Sequence, residues 1–320
     1  MVSNFQLVQI AYAIPSTILY IAMTIFLGIK MYQKSPALSN QFFPFIMFKA
    51  CVDISYQVLG WATIRLPQYN FFRNFFLTNH WFSKILYIIT GVQFCLMFEC
   101  VFIVALNRYI AIGYSLQYVV VFSPRNVKIM ALIMLLISGC VGVGISMFTT
   151  EFRSTSDNSS VVAVYTQPGI VYYQLFYSVI LYGTLMILSL IMNVTTIMRL
   201  YKRNSKTNHH YSKADYYMTI HSALSFMGSL LLESYFASRM IGYFGSMPEL
   251  VNTAMICLPV ISDIASFADL YSMMLTNEYV RKSMLKILFP FFKKISISTS
   301  VKLFENNVPL SKTVRNNNII

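Results

Sequence analysis

The stretch SKILYIITGVQFCLMFECVFIVALNRYIAIG, Ser83 to Gly113, decides the fold. From Ile85 to Leu106 its only charge is Glu99. A helix of that length, rising about 1.5 Å per residue, covers the roughly 30 Å of a bilayer's hydrocarbon core. The run shows none of the alternation of a barrel strand, so a helix is the structure that satisfies its backbone in lipid. Working outward, six further apolar runs complete the pattern. The predicted spans are 7–29, 42–64, 83–106, 128–149, 170–198, 216–242 and 250–276. The fold class is an all-α membrane protein, a seven-transmembrane helix bundle occupying residues 1–276.

Composition agrees. The chain is 57% apolar and 11% charged over 320 residues, which excludes an ordinary soluble domain. The first span has no basic region before it and no small-residue cleavage site after it, so it reads as a retained helix rather than a signal peptide. Eighteen of the 24 basic residues fall in the segments on one side of the bundle and in the tail, against four on the other. By the positive-inside rule the N-terminus is extracellular and the C-terminus cytoplasmic. The net charge of +13 is then an inside-facing charge, and no nucleic-acid partner is needed to explain it. Asn158-Ser159-Ser160, between spans four and five, is a glycosylation acceptor on the side this rule places outside. Asn193-Val194-Thr195 falls within span five and reads as a chance match. All five cysteines lie within spans, so no outer disulfide is expected.

Asn107-Arg108-Tyr109 closes the third span. Seven helices with this triplet there resemble the G-protein-coupled receptors. Two further segments, MNVTTIMRLYKR (Met192–Arg203) and SDIASFADLYSMMLTNEYVR (Ser262–Arg281), bring the resemblance closest to the nematode chemosensory receptors of the serpentine class gamma and class V group. The resemblance implies a plasma-membrane receptor, carried in sensory-neuron cilia. It implies a small-molecule or short-peptide ligand, and a heterotrimeric G protein contacted by Asn107, Arg108 and Tyr109. The usual acid before the arginine is replaced by Asn107, so Arg108 needs a hydrogen bond or a more distant acid. Asp215 is the nearest candidate for an inner restraint; its alternative role is to begin helix six in a capping-box-like Ser212-Lys213-Ala214-Asp215. For Arg108 the plain alternative is snorkelling to the interface from a wet inner mouth. Departures from the broader family are the missing cysteine at the outer end of helix three, the missing proline in helix six, and Phe267-Ala268-Asp269-Leu270-Tyr271 in helix seven. Helix seven has no lysine, which excludes an opsin-type Schiff base.

Charges inside a membrane are costly and face a bundle interior or wet cavity. Leaving aside Lys84 and Lys128 at the very starts of their spans, seven fall within the predicted spans: Lys49, Asp53, Glu99, Glu233, Arg239, Asp263 and Asp269. Lys49 and Asp53 stand four apart and can pair on one helix face. A sodium site at Asp53 is the alternative, which Lys49 disfavours by supplying the positive charge itself. Ser262, Ser266 and Asp269, with Asp263 beside them, form an inward polar stripe, either a water-lined activation network or interhelical glue. Glu233 is deep enough to touch a ligand. Arg239 either greets an acidic ligand or snorkels to the outer interface. Tyr173 and Tyr177 share a face of helix five and are candidate pocket residues, set among aromatics that otherwise suit an interfacial belt.

After helix seven, Val280, Met284, Ile287, Leu288 and Phe291 follow helical spacing while Arg281, Lys282 and Lys286 lie off that stripe. Residues 277–292 therefore read as an amphipathic helix on the inner leaflet of the lipid bilayer, broken at Pro290. Residues 293–320 read as a disordered cytoplasmic tail.

No zinc spacing, nucleophile elbow or paired-carboxylate motif appears, so neither an enzyme, a metal site nor a cofactor is expected. Most of the four histidines read as loop residues. A transporter or channel is the rival class, because intramembrane charges can line a conduction path; no repeat relates the two halves of the chain.

Overall fold

A computed structural model describes residues 4–35, 42–155, 160–206 and 213–288. It forms a bundle of seven long helical segments. They are α1 (Asn4–Tyr32), α2 (Phe42–Gly60), α3 (His80–Gly113), α4 (Pro124–Ser146), α5, α6 (Lys213–Phe244) and α7 (Pro248–Thr276). The fifth, α5, runs as Ile170–Gln174, a π-helical turn Leu175–Leu181, and Tyr182–Lys206. A second π-helical turn, Trp61–Arg65, extends α2 toward Leu66–Gln68. Six of the seven are long and apolar enough to cross a membrane; α6 falls short of that composition. The reason is its polar face. His221, Ser222, Ser225 and Ser229 are buried in the bundle while Met227 and Leu231 stay exposed.

The most buried span is α3, packed against α2, α4, α5 and α6. The most extensive contact joins α6 to α7. A Cβ on Gly228 would lie 2.9 Å from the Ala268 side chain, so small residues set that close approach. Lipid-facing apolar side chains are plentiful, among them Leu136 and Val143 on α4 and Ile187 and Ile191 on α5. So broad an exposed apolar belt needs a non-aqueous surrounding. Local signals set the helix starts: the Ser123 side chain caps α4 by accepting from the Asn126 amide, and Pro124 and Pro248 occupy first-turn positions that have no N–H to satisfy.

Between α4 and α5 the chain forms a two-stranded antiparallel hairpin, β1 (Thr150–Ser154) and β2 (Val161–Tyr165), in which Phe152 faces Ala163. The helical reading did not anticipate it. It lies at the end of the bundle where α3 begins, and we refer to that as the hairpin end and to the opposite as the Arg108 end. No cysteine fixes it; all five are unpaired. Hydrogen bonds do so instead: Ser83 with Thr150 at 2.7 Å, Tyr87 to the Ala163 carbonyl at 2.6 Å, and Arg73 to Ser154 at 2.9 Å. Phe152 and Val161 pack beneath it with Phe76 and Leu86.

Residues from Glu278 form a second unit, with α8 at Glu278–Leu288. Val280 and Met284, four apart, are buried, while Lys282 is exposed and pairs with Glu278 at 2.6 Å. The break expected at Pro290, Phe291 and the tail 293–320 lie outside the described residues, as does Asn158.

Candidate functional site

At the Arg108 end, α3 does not stop at Leu106 but continues to Gly113. Arg108 is thus held inside the helix, and it is 0% exposed. This burial rules out the alternative of a side chain snorkelling from a wet mouth. The guanidinium donates twice to the Asn107 side-chain oxygen, at 3.1 and 2.5 Å, and contacts the Met218 sulfur at 3.0 Å. It also stacks over Phe42 at 4.5 Å. Asp215 on α6 lies 4.0 Å away and is 35% exposed, at the limit of an ion pair and partly screened. Asn107 therefore stands in for the missing acid, with α6 supplying a looser second partner. Tyr109 faces elsewhere: with Tyr114 it sandwiches Arg199 of α5, at 4.7 and 4.9 Å. Hydrogen bonds from Tyr109 and Arg199 hold the Tyr114 hydroxyl below the usual phenol range.

Mid-bundle, Lys49 on α2 joins two acids, Asp53 at 2.8 Å and Asp269 of α7 at 2.6 Å, all three at most 1% exposed. Tyr20 of α1 donates to Asp53 at 2.9 Å, and His221 of α6 lies 3.6 Å from Asp269 and 2.6 Å from the Ser272 hydroxyl. The helical pair expected from sequence is one arm of a cluster that ties α1, α2, α6 and α7 together. His221 belongs to that cluster and is not a loop residue; its neighbour Ser222 donates to Asn193 of α5 at 2.9 Å, inside the bundle. Nearer the hairpin end, Asp263 takes a hydrogen bond from Tyr12 at 2.8 Å and pairs with Arg65. From sequence Arg65 is one of the four basic residues counted on the outer side; the π turn carries it inward, where it is 4% exposed. The expected stripe on α7 thus divides between two partners. Its hydroxyls are buried as well, Ser262 bonding the Pro259 carbonyl and Ser266 lying at 0% exposure. Elsewhere, Ser138 on α4 donates to Glu99 at 2.8 Å.

At the hairpin end a cavity of about 140 Å³ opens between α3, α5, α6 and α7 beneath β2. Its walls are Tyr87, Phe94, Tyr165, Tyr177, Tyr235 and Phe236, with Val161, Ala163 and Leu258. Arg239 and Gln174 supply its polar edge, 3.4 Å apart. A wider cleft of about 390 Å³ shares Tyr87, Tyr165, Gln174, Arg239 and Met255 with it. Phe94 and Phe236 pack at 5.4 Å at the floor, and Phe98 stacks on Tyr182 at 4.5 Å deeper in the bundle.

The structure separates the candidate pocket residues. Tyr177 lines the cavity, whereas Tyr173 donates to the Val141 carbonyl of α4 at 3.0 Å and lies against Gly144. The two rings still pack together at 5.3 Å, with Tyr177 on the cavity side and Tyr173 on the α4 side. Glu233 is not among the cavity's lining residues; it lies beside Gly183 of α5. Arg239 turns into the cavity instead of snorkelling outward. Sequence reasoning missed the hairpin wall and Arg65. The β-branched run Val161-Val162-Ala163-Val164-Tyr165 was a strand signal, though a short one, whereas the Arg65 to Asp263 pairing joins residues far apart in sequence.

A family model described as serpentine type 7TM GPCR chemoreceptor Srv matches residues 9–289. The chain belongs to this family. It is a multi-pass membrane protein of the seven-transmembrane chemoreceptor class, and the resemblance to the class gamma and class V group resolves to class V. No curated protein matches the chain. The seven-helix bundle of the family accounts for α6 as its sixth helix, despite the polar face that sets it apart from the other six.

Proposed function

We propose that this receptor binds a small or apolar ligand in the cavity at the hairpin end and activates a heterotrimeric G protein at the Arg108 end. The hairpin end is then extracellular, with Asn158 glycosylated, and the C-terminus cytoplasmic. The receptor serves chemoreception at the plasma membrane, in sensory cilia. One observation carries this reading: α6 lines the cavity at Arg239 and restrains buried Arg108 at Asp215 and Met218. The two positions are roughly 36 Å apart along a single helix without proline. A ligand that moves the top of α6 thus bears on the contacts that bury Arg108. To act, it must bind the open arrangement better than the closed one by the free energy it is to shift. Release of Asp215 and Met218 then frees the guanidinium, with Asn107 beside it and Tyr109 on the α5 side, for the G protein. Lys49, Asp53, Ser262, Asp263, Ser266 and Asp269 serve as the polar network between the two ends.

The test is nucleotide exchange. Receptor reconstituted in nanodiscs is mixed with a panel of heterotrimers, and the reading expects accelerated GTP uptake by at least one. Well-folded receptor that accelerates none, but supports ion or solute flux in liposomes, would establish the transporter or channel class instead.

A further inference from the structure

We infer that the cavity at the hairpin end is an anion site, and that its ligand is a compact organic acid whose carboxylate pairs with Arg239. The inference rests on the receptor reading and names its ligand class. The three fully buried cations among the bundle's described residues each have an acid within 4.0 Å: Lys49 has Asp53 and Asp269, Arg65 has Asp263, and Arg108 has Asp215. Among the described residues Arg239 has none, and neither the cavity nor the adjoining cleft is lined by an Asp or Glu. Its polar neighbours are neutral, the Gln174 amide at 3.4 Å and the Tyr235 hydroxyl. Arg239 is half-buried; a guanidinium partly withdrawn from water with no counter-charge has lost hydration that nothing replaces, and a ligand carboxylate would replace it with a charge-assisted, two-point hydrogen bond. No second cation lines either space, which suits one negative charge better than a phosphate's two.

The remaining walls describe the body of the molecule. Phe94, Phe236, Leu258 and Val161 offer apolar contact, and a cavity of about 140 Å³ is on the scale that holds a single benzene ring. The cleft beside Arg239 leaves room for a short substituent. Both π-helical turns reach this site, through Ile64 of one and Tyr177 of the other, as such turns often do where a side chain must be re-aimed.

The experiment measures the melting midpoint of purified receptor in nanodiscs against compact carboxylic acids, including benzoate, phenylacetate and short branched aliphatic acids, each beside its primary amide. At least one acid is expected to raise the midpoint while its amide does not. Arg239→Gln should weaken that acid by about tenfold or more, and Arg239→Lys by less, since it keeps the charge but loses the fork. Should Arg239→Gln fold poorly, wild-type receptor decides: the acid, and not the amide, should slow phenylglyoxal modification at Arg239, read by mass spectrometry. Amides as effective as acids, acid binding unchanged in Arg239→Gln, or no effect of any acid would overturn the inference. Nucleotide exchange on the same preparation keeps the two readings apart. Exchange without acid binding removes the anion site alone, and acid binding without exchange removes the receptor reading alone.

Discussion

Substituting Lys49 by Met removes the one ammonium that stands between two buried carboxylates. Asp53 and Asp269 lie 2.8 and 2.6 Å from it and are 0% and 1% exposed. Neither can recover its lost partner from water. Deleting one member of a buried ion pair costs about 3–5 kcal/mol. An independent estimate agrees: forcing an acid with an ordinary pKa near 3.9 to hold a proton at pH 7 costs about 4 kcal/mol. At roughly 2–4 °C per kcal/mol for larger domains, the melting midpoint should fall by about 6–20 °C. The assay is thermal unfolding of purified receptor at neutral pH, followed by fluorescence-detected size exclusion. The triple variant Lys49→Met, Asp53→Asn, Asp269→Asn removes all three charges and should recover most of the loss, because uncharged replacements for buried ionic clusters are often near neutral. A single variant within about 1 kcal/mol of wild type, hence within roughly 2–4 °C, would refute the reasoning.

Three further outcomes are expected. Asp215→Asn weakens a partly exposed contact worth up to about 1 kcal/mol, so basal nucleotide exchange should rise by up to about fivefold; a fall would remove Asp215 from the restraint. Gly228→Val puts a branched side chain where a Cβ already stands 2.9 Å from Ala268, and the overpacking should cost about 1–3 kcal/mol in thermal unfolding. Receptor expressed in animal cells should lose mass on treatment with an N-glycosidase, and Asn158→Gln should abolish that change; a glycan surviving the substitution would place the acceptor elsewhere.

The helices were legible because each span is a long apolar run whose backbone lipid permits to form only one structure. Even α6 was readable, since its charges and serines are spread thinly among apolar residues. Lys49 with Asp53 was legible too, being four apart on one helix. Their third partner was not: Asp269 sits on α7, and only packing brings it within 2.6 Å. Arg65 was counted on the outer side, and Arg239 was left between two roles, for a related reason. Both lie near predicted span ends, where sequence alone cannot tell an arginine bent outward to water from one turned into a cavity. Tyr173 and Tyr177 do share a face, their rings 5.3 Å apart, but the spacing could not say that only Tyr177 lines the cavity while Tyr173 bonds the Val141 carbonyl. The hairpin was hidden by its brevity, five residues per strand, between two spans whose helical signal dominated.

The central claim is that buried Arg108 is the element the cytoplasmic mouth releases to its G protein. The most direct measurement is capture of a nucleotide-free heterotrimer, its GDP removed enzymatically, by purified wild-type receptor and by Arg108→Ala folded to the same midpoint. Capture by wild type that GTP reverses and Arg108→Ala loses is the predicted result. Equal capture by both proteins would contradict the role given to Arg108, and no capture by either would contradict coupling to a G protein.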